Sequence, residues 1–180
     1  AEWFQNFSAF PAENAVTWSG DFLQDILDKV GFCISDDDAM DAIACLCMKP
    51  RGNGRIDVCG LNGHQFALVS FTHDELAERL PEAGMLIQKK YLADIKKWLG
   101  VDEIELNITD KRLYLRSLDG AETLSLPRAA HEYPDYNIFM SKLASEDMHP
   151  MTLARKEAIE ALGRILIFNT ESDRCTYMDL

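Results

Sequence analysis

Cysteine and histidine supply the first chemistry to weigh in this 180-residue chain. Cys33, Cys45, Cys47 and Cys59 cluster in its first third, His64 follows, and Cys175 stands near the other end. A Cys–His pair such as Cys59 and His64 could act as nucleophile and base, and a Cys/His set could hold zinc. Neither chemistry has its usual spacing here. There is no CxxC pair, no nucleophile elbow and no phosphate-binding glycine loop. Cys45 and Cys47 alternate inside the apolar run Met40 to Met48, which puts both on one face of a strand. The five cysteines therefore read as small, reduced, buried hydrophobes of a cytosolic protein. No catalytic residue, no metal and no cofactor is expected.

Charge offers a second chemistry. Lys90 and Lys97, with Ala93, lie opposite Ile95 on a helical pattern, and Lys89 and Lys96 are close by. Cations on one exposed helix face, without base-reading side chains, suit sequence-independent contact with phosphates. The same lysines would serve equally as a solvated face. An earlier helix turns Asp21, Gln24 and Asp28 outward, with Asp36-Asp37-Asp38 close behind, and would repel phosphates. Eighteen Lys plus Arg against thirty Asp plus Glu give a net charge of −12, which argues against nucleic-acid binding by the surface as a whole. A composition of 47% hydrophobic and 27% charged residues excludes a disordered or fibrous protein. No apolar run approaches a membrane span and no signal-peptide pattern occurs, so no membrane partner is expected.

The elements that must position these residues repeat along the chain. Phe22, Leu23, Ile26, Leu27 and Val30 form one helical stripe; Leu92, Ile95, Trp98 and Leu99 form a second; Ile159, Leu162, Ile165 and Leu166 form a third. Each follows a short strand-like run: Ala15 to Trp18, Met85 to Ile87 and Met151 to Ala154. Three β-forming runs follow the first helix, at Met40 to Met48, Arg55 to Cys59 and Gln65 to Phe71. Three follow the second, at Glu103 to Ile108, Arg112 to Arg116 and Glu122 to Leu126. Arg55-Ile56-x-Val58-x-x-Leu61-Asn62-Gly63 aligns without gaps on Arg112-Leu113-x-Leu115-x-x-Leu118-Asp119-Gly120. The Asn-Gly and Asp-Gly pairs predict two-residue hairpin turns with both residues at positive φ. Each unit thus reads strand, helix, three antiparallel strands: an α+β fold with helices on one face of antiparallel sheets.

The third unit ends after one further strand-like run, Cys175 to Leu180, which suggests a piece of a longer protein with more such units. The polar stretch Ala129 to His149 reads as a domain linker. The front segment Glu2 to Asn14 holds Trp3, Phe4, Phe7 and Phe10, too aromatic for a free tail, and is expected to pack against an absent neighbour.

These motifs resemble the bacterial sliding clamp, the β subunit of DNA polymerase III. Leu61-Asn62-Gly63-His64-Gln65-Phe66-Ala67 is similar to the family's Thr-Asp-Gly-His-Arg-Leu-Ala segment. Tyr133-Pro134-Asp135-Tyr136 resembles its Phe-Pro-Asp-Tyr segment, and Ile87-Gln88-Lys89-Lys90-Tyr91 its Val-Pro-Arg-Lys-Gly stretch. The resemblance covers essentially the whole chain. It implies a DNA-clamp (processivity) fold: a linker from a missing first domain over 1–13, and a middle clamp domain over 14–130. That domain holds two repeats, at about 14–76 and 84–128. An interdomain linker over 131–148 and the start of the last domain over 149–180 complete the division.

The resemblance further implies a non-catalytic, cytoplasmic processivity factor. Two full-length subunits would close a ring around duplex DNA, while the present piece alone would be a monomer. Lys89, Lys90 and Lys97 would face the DNA. Partners would be double-stranded DNA, the DNA polymerase III α subunit, the clamp loader and other clamp-motif proteins. Their peptides would enter a pocket carried over onto Met40, Ile43, Leu61, Gly63, His64, Gln65, Phe66, Pro134, Ile138 and Phe139. Gln65 replaces a usual Arg, and Met40 and Ile138 stand where basic residues are common. The implied pocket is therefore more apolar than usual and less suited to acidic flanks. The alternatives are an enzyme built on Cys59 and His64, and a repeat-built peptide scaffold that does not encircle DNA.

Overall fold

The computed structural model describes residues 9–37, 41–100, 102–144 and 151–167. Strand β1 (Val16–Ser19) runs directly into helix α1 (Gly20–Val30). Ser19 caps that helix by accepting the Phe22 N–H at 3.3 Å, and Asp21 in the first turn suits the helix dipole. Leu23, Ile26, Leu27 and Val30 form its buried face, as the 3.6-residue period demands. Three antiparallel strands follow: β2 (Cys45–Pro50), β3 (Arg55–Leu61) and β4 (Phe66–Thr72). After the short helix α2 (Asp74–Arg79) the plan begins again with β5 (Met85–Gln88), a single 3₁₀ turn over Lys89–Tyr91 and α3 (Leu92–Trp98). Strands β6 (Glu103–Ile108), β7 (Arg112–Ser117) and β8 (Thr123–Pro127) complete it. Strand, helix and three strands thus occur twice.

The two repeats exchange their first strands. One sheet has the order β1-β6-β7-β8 and the other β4-β3-β2-β5, all pairs antiparallel. Val16 pairs with Leu106 across the first exchange, and Cys45 with Gln88 across the second. Each sheet therefore needs a strand from the other repeat, so neither repeat closes its own sheet. Leu46, Met48, Ile56 and Val58 of one sheet and Val16, Leu106 and Leu115 of the other share a single core with the buried faces of α1 and α3. Gly60 on β3 belongs to this inward face. A Cβ there would come 2.7 Å from Ile34 Cγ1 and 3.0 Å from the Val30 carbonyl oxygen, so only glycine lets α1 lie this close.

The outer faces of both sheets are covered by chain segments. Asn107 donates two hydrogen bonds, to the carbonyls of Pro11 (2.6 Å) and Glu13 (2.8 Å), and the Phe10 ring lies edge-on to Tyr114 with the Arg116 guanidinium 4.1 Å from its centroid. Phe10 therefore packs on this chain's own sheet, not on an absent neighbour; Trp3, Phe4 and Phe7 fall outside the described residues. On the other sheet, Ala129 bridges Leu86 and Tyr133 lies over Cys59 and Cys47 with its hydroxyl buried. The stretch after β8 thus starts as a strap held down on the sheet.

Other expectations are corrected. The β3–β4 and β7–β8 connections are four and five residues long (62–65 and 118–122), not two. Gly63 and Gly120 have positive φ while Asn62 and Asp119 do not, because each Asx side chain instead accepts backbone N–H groups further along its loop. Residues 151–154 form no strand; the run Cys175 to Leu180 falls outside the described residues. Helix α2 has no counterpart in the periodicity argument.

The described residues divide after Pro134 into two compact units. The second carries α4 (Asn137–Leu143) and α5 (Arg155–Leu166). Asp135 accepts the Asn137 N–H at 3.0 Å at the start of α4. The apolar stripe Ile159, Leu162, Ile165 and Leu166 on α5 is exposed.

Candidate partner and nucleic-acid surfaces

The loop after β3 is built from its asparagine outward. Asn62 Oδ1 accepts the N–H groups of His64 (3.0 Å) and Gln65 (2.8 Å), and the Asn62 N–H donates to the Gln65 carbonyl at 3.2 Å. Gly63 at φ +87° makes the reversal. These bonds hold the His64 and Gln65 side chains in solvent beside Phe66, which pairs in register with Leu61 across β3 and β4. Leu61 is buried on the outer face of the sheet and Phe66 is half-buried. The first unit therefore joins Leu61, Gly63, His64, Gln65 and Phe66 into one rigid corner with an apolar floor and two polar side chains. Such a corner suits an aliphatic or aromatic peptide anchor held by a few orienting polar groups.

The remaining pocket residues are distributed more widely. Ile43 is half-buried just before β2, where its carbonyl accepts the Ser35 N–H at 3.1 Å. Pro134 is exposed at the end of the strap, directly after Tyr133. Ile138 and Phe139 belong to the second unit, exposed on α4 at 56% and 41%. Met40 lies outside the described residues.

On the helix side most charges meet opposite charges within the chain. Lys89 Nζ donates to the Ile34 carbonyl at 2.6 Å and pairs with Asp36 at 2.7 Å. Lys29 pairs with Asp25 at 2.6 Å, and Lys96 pairs with Asp28. Lys90 sits over the Tyr91 ring, 5.2 Å from its centroid, with its ammonium open to solvent. Lys97 is exposed and makes no ion pair with a described residue. Lys90 and Lys97 are thus the cations of α3 and its entry turn that remain available to an anion.

The thiols are built against reactivity. Cys33, Cys45, Cys47 and Cys59 are all buried and free. Cys47 stands directly opposite Cys59, and the hydrogen bond between the two thiols, reinforced by burial, raises the Cys59 pKa. Burial pushes the Cys45 thiol up to about 11. A protonated thiol with no exposed surface cannot attack a substrate, and His64 lies in the solvent-exposed loop. Among the described residues no group of His, Cys, Asp or Glu could hold a metal ion.

Two features escape the sequence argument. Tyr133 reads as part of a linker, yet it is the lid over the thiols. Asp57 is a charge at 2% exposure, between Arg51 and Arg55. Its signal was a lone carboxylate inside an otherwise apolar strand.

No protein-family model matches this sequence, and no curated protein sequence is similar to it. Solved structures do match. The β sliding clamp of Caulobacter crescentus superposes with a TM-score of 0.78 at 19% identity, over 95% of this chain and 45% of that one. The DNA polymerase sliding clamp of Bacillus subtilis gives 0.74 at 16% identity, over 95% and 43%. The DNA polymerase III subunit β of Pseudomonas aeruginosa gives 0.73 at 16%, over 95% and 45%. The chain spans less than half the length of each of these clamps. It carries the fold of the bacterial DNA polymerase III β sliding clamps.

Proposed function

We propose that this chain is the middle portion of a ring-forming, non-catalytic processivity factor. Two full-length subunits encircle duplex DNA and tether a polymerase, a clamp loader and other clamp-motif proteins by short peptides. The observation that supports this best is the exchanged two-repeat fold, which matches solved sliding clamps over 95% of the chain. On this reading residues 14–130 are a clamp domain, and the helix layer turns toward DNA through Lys90 and Lys97. Lys89 contributes less than its position suggests, because its ammonium is shared with Asp36 and the Ile34 carbonyl. Leu61, Gly63, His64, Gln65 and Phe66 receive the peptide's apolar anchor, with Ile43 and Pro134 of the same unit as further contacts.

An NMR titration with a short peptide carrying Leu and Phe anchors tests the partner site. Shifts centred on the amides of Leu61 to Phe66 are expected. A silent Leu61 to Phe66 segment at millimolar peptide would refute it. A second reading, a peptide scaffold that does not encircle DNA, is favoured by one observation. The ion pairs Lys29–Asp25, Lys96–Asp28 and Lys89–Asp36 leave the helix layer with few cations for phosphates. Retention of the full-length protein on circular DNA separates the two.

A further inference from the structure

A cationic cleft lies at the far end of β3 from the His64 loop, and nothing in the clamp reading uses it. It is an open cavity of about 720 Å³ lined by Lys49, Pro50, Arg51, Gly52, Arg55, Leu80 and Glu82. Three cations on its walls face one carboxylate, in a chain whose net charge is −12. Lys49 makes no ion pair with a described residue.

Beneath the cleft the structure arranges the two arginines. Asp57 is buried on the outer face of β3, and its two carboxylate oxygens meet Arg51 Nε at 3.2 Å and Arg55 Nε at 3.4 Å. The Ser70 hydroxyl donates to Asp57 at 2.6 Å and accepts from Arg55 at 3.1 Å. One buried carboxylate thus orients two guanidiniums side by side and neutralises only one of them. The hairpin carrying them is itself fixed: Arg51 N–H donates to the Arg55 carbonyl at 2.8 Å, and His73 N–H to the Gly54 carbonyl at 2.8 Å.

The second repeat is an internal control. Arg112 occupies the position of Arg55 and donates to Ser125 as Arg55 does to Ser70, but Tyr114 stands where Asp57 would be. The oriented arginine pair is therefore not a requirement of the fold. Paired guanidiniums match the geometry of carboxylates, which they bind in fork-like fashion.

We propose that this cleft binds an acidic peptide segment of a protein partner, with its carboxylates on Arg51, Arg55 and Lys49. The outer-face position favours a protein over a nucleic acid. Lys49 and Arg55 stand on the outer face of β2 and β3, with Asp57, away from the helix layer, whose open cations are Lys90 and Lys97. It also shares that face with Leu61, about 20 Å along β3, a span that about six extended residues cover. The site stands independently of the His64 corner, because it requires no apolar anchor.

The test is a titration of the chain with a capped hexaglutamate peptide at low salt, read by amide shifts, beside a hexathymidylate strand as the phosphate arm. Saturable shifts at Lys49 to Arg55 and Leu80 to Glu82 are expected with the peptide. Lys49→Gln should weaken that binding by about two- to fivefold, and half-molar salt should weaken it further. Lys49 stands opposite Asp57 in the β2–β3 register but makes no ion pair with it, so this variant leaves the Arg51–Asp57–Arg55 ion pairs in place; Arg55→Lys provides a second one that keeps the charge but loses the fork. Absence of shifts at this cleft, binding unchanged in both variants, or tighter binding of hexathymidylate than of the peptide would each overturn the proposal.

Discussion

Replacing Gly60 by alanine measures how closely α1 rests on the sheet that carries the proposed partner corner. The added Cβ would lie 2.7 Å from Ile34 Cγ1, 3.0 Å from the Val30 carbonyl oxygen and 3.2 Å from Val30 Cγ1. Val30 and Ile34 are themselves buried, so neither can swing into solvent. The Ile34 side chain can yield by a rotamer change, but the Val30 oxygen moves only if the end of α1 lifts. Overpacking of this kind costs about 1–3 kcal/mol, and the backbone obstacle argues for the upper half of that range. In a unit of this size a loss of about 2 kcal/mol lowers the melting midpoint by about 6–12 °C. Urea unfolding followed by circular dichroism should show a lower midpoint concentration with an unchanged slope. Gly63→Ala is the comparison: nothing lies within 4 Å of its Cβ, so only the +87° φ is penalised, at about 1 kcal/mol. A Gly60→Ala protein within about 0.5 kcal/mol of the parent would refute the close helix–sheet contact.

Asn107→Ala removes both hydrogen bonds that hold the 11–13 segment. It should destabilise by about 1–3 kcal/mol and open the chain to proteolysis near Phe10, whereas an unchanged cleavage pattern would contradict the packing described. Tyr133→Ala should uncover Cys47 and Cys59, so that a thiol reagent labels the folded protein at least about tenfold faster than the parent; equal rates would mean the strap is not the lid. Stability should fall as pH rises from 9 toward 11. The unfolded Cys45 thiol ionises at its ordinary 9.0 while the folded one stays protonated to about 11. The stabilisation is complete below pH 9 and declines by about 2 kcal/mol across that window. A flat profile, measured by denaturant titration at several pH values, would contradict the thiol's burial.

Much of the fold is legible in the residues because both repeats use the same physical devices. The gapless match of Arg55–Gly63 on Arg112–Gly120 falls on β3 and β7 and the loops that follow them. The stripes of α1 and α3 appear where their periods put them. The strand exchange is not legible, since alternating apolar residues in β1 and β5 satisfy either sheet equally. Helix α2 is too short to show a period and buries only Leu76. Hairpin length is not legible because Asn62 and Asp119 act through their side chains and not through a positive φ. Of the candidate site, the Leu61–Phe66 corner follows from its own turn chemistry. Lys89 does not behave as a helix-face pattern suggests, because its partner Asp36 comes from the other repeat.

Topological retention on DNA tests the clamp account most directly. The full-length protein containing this chain would be loaded onto a covalently closed circle and isolated at moderate salt. The account predicts that it stays bound to the circle and is released when a restriction enzyme cuts the DNA. Equal loss from circular and linear DNA would contradict it.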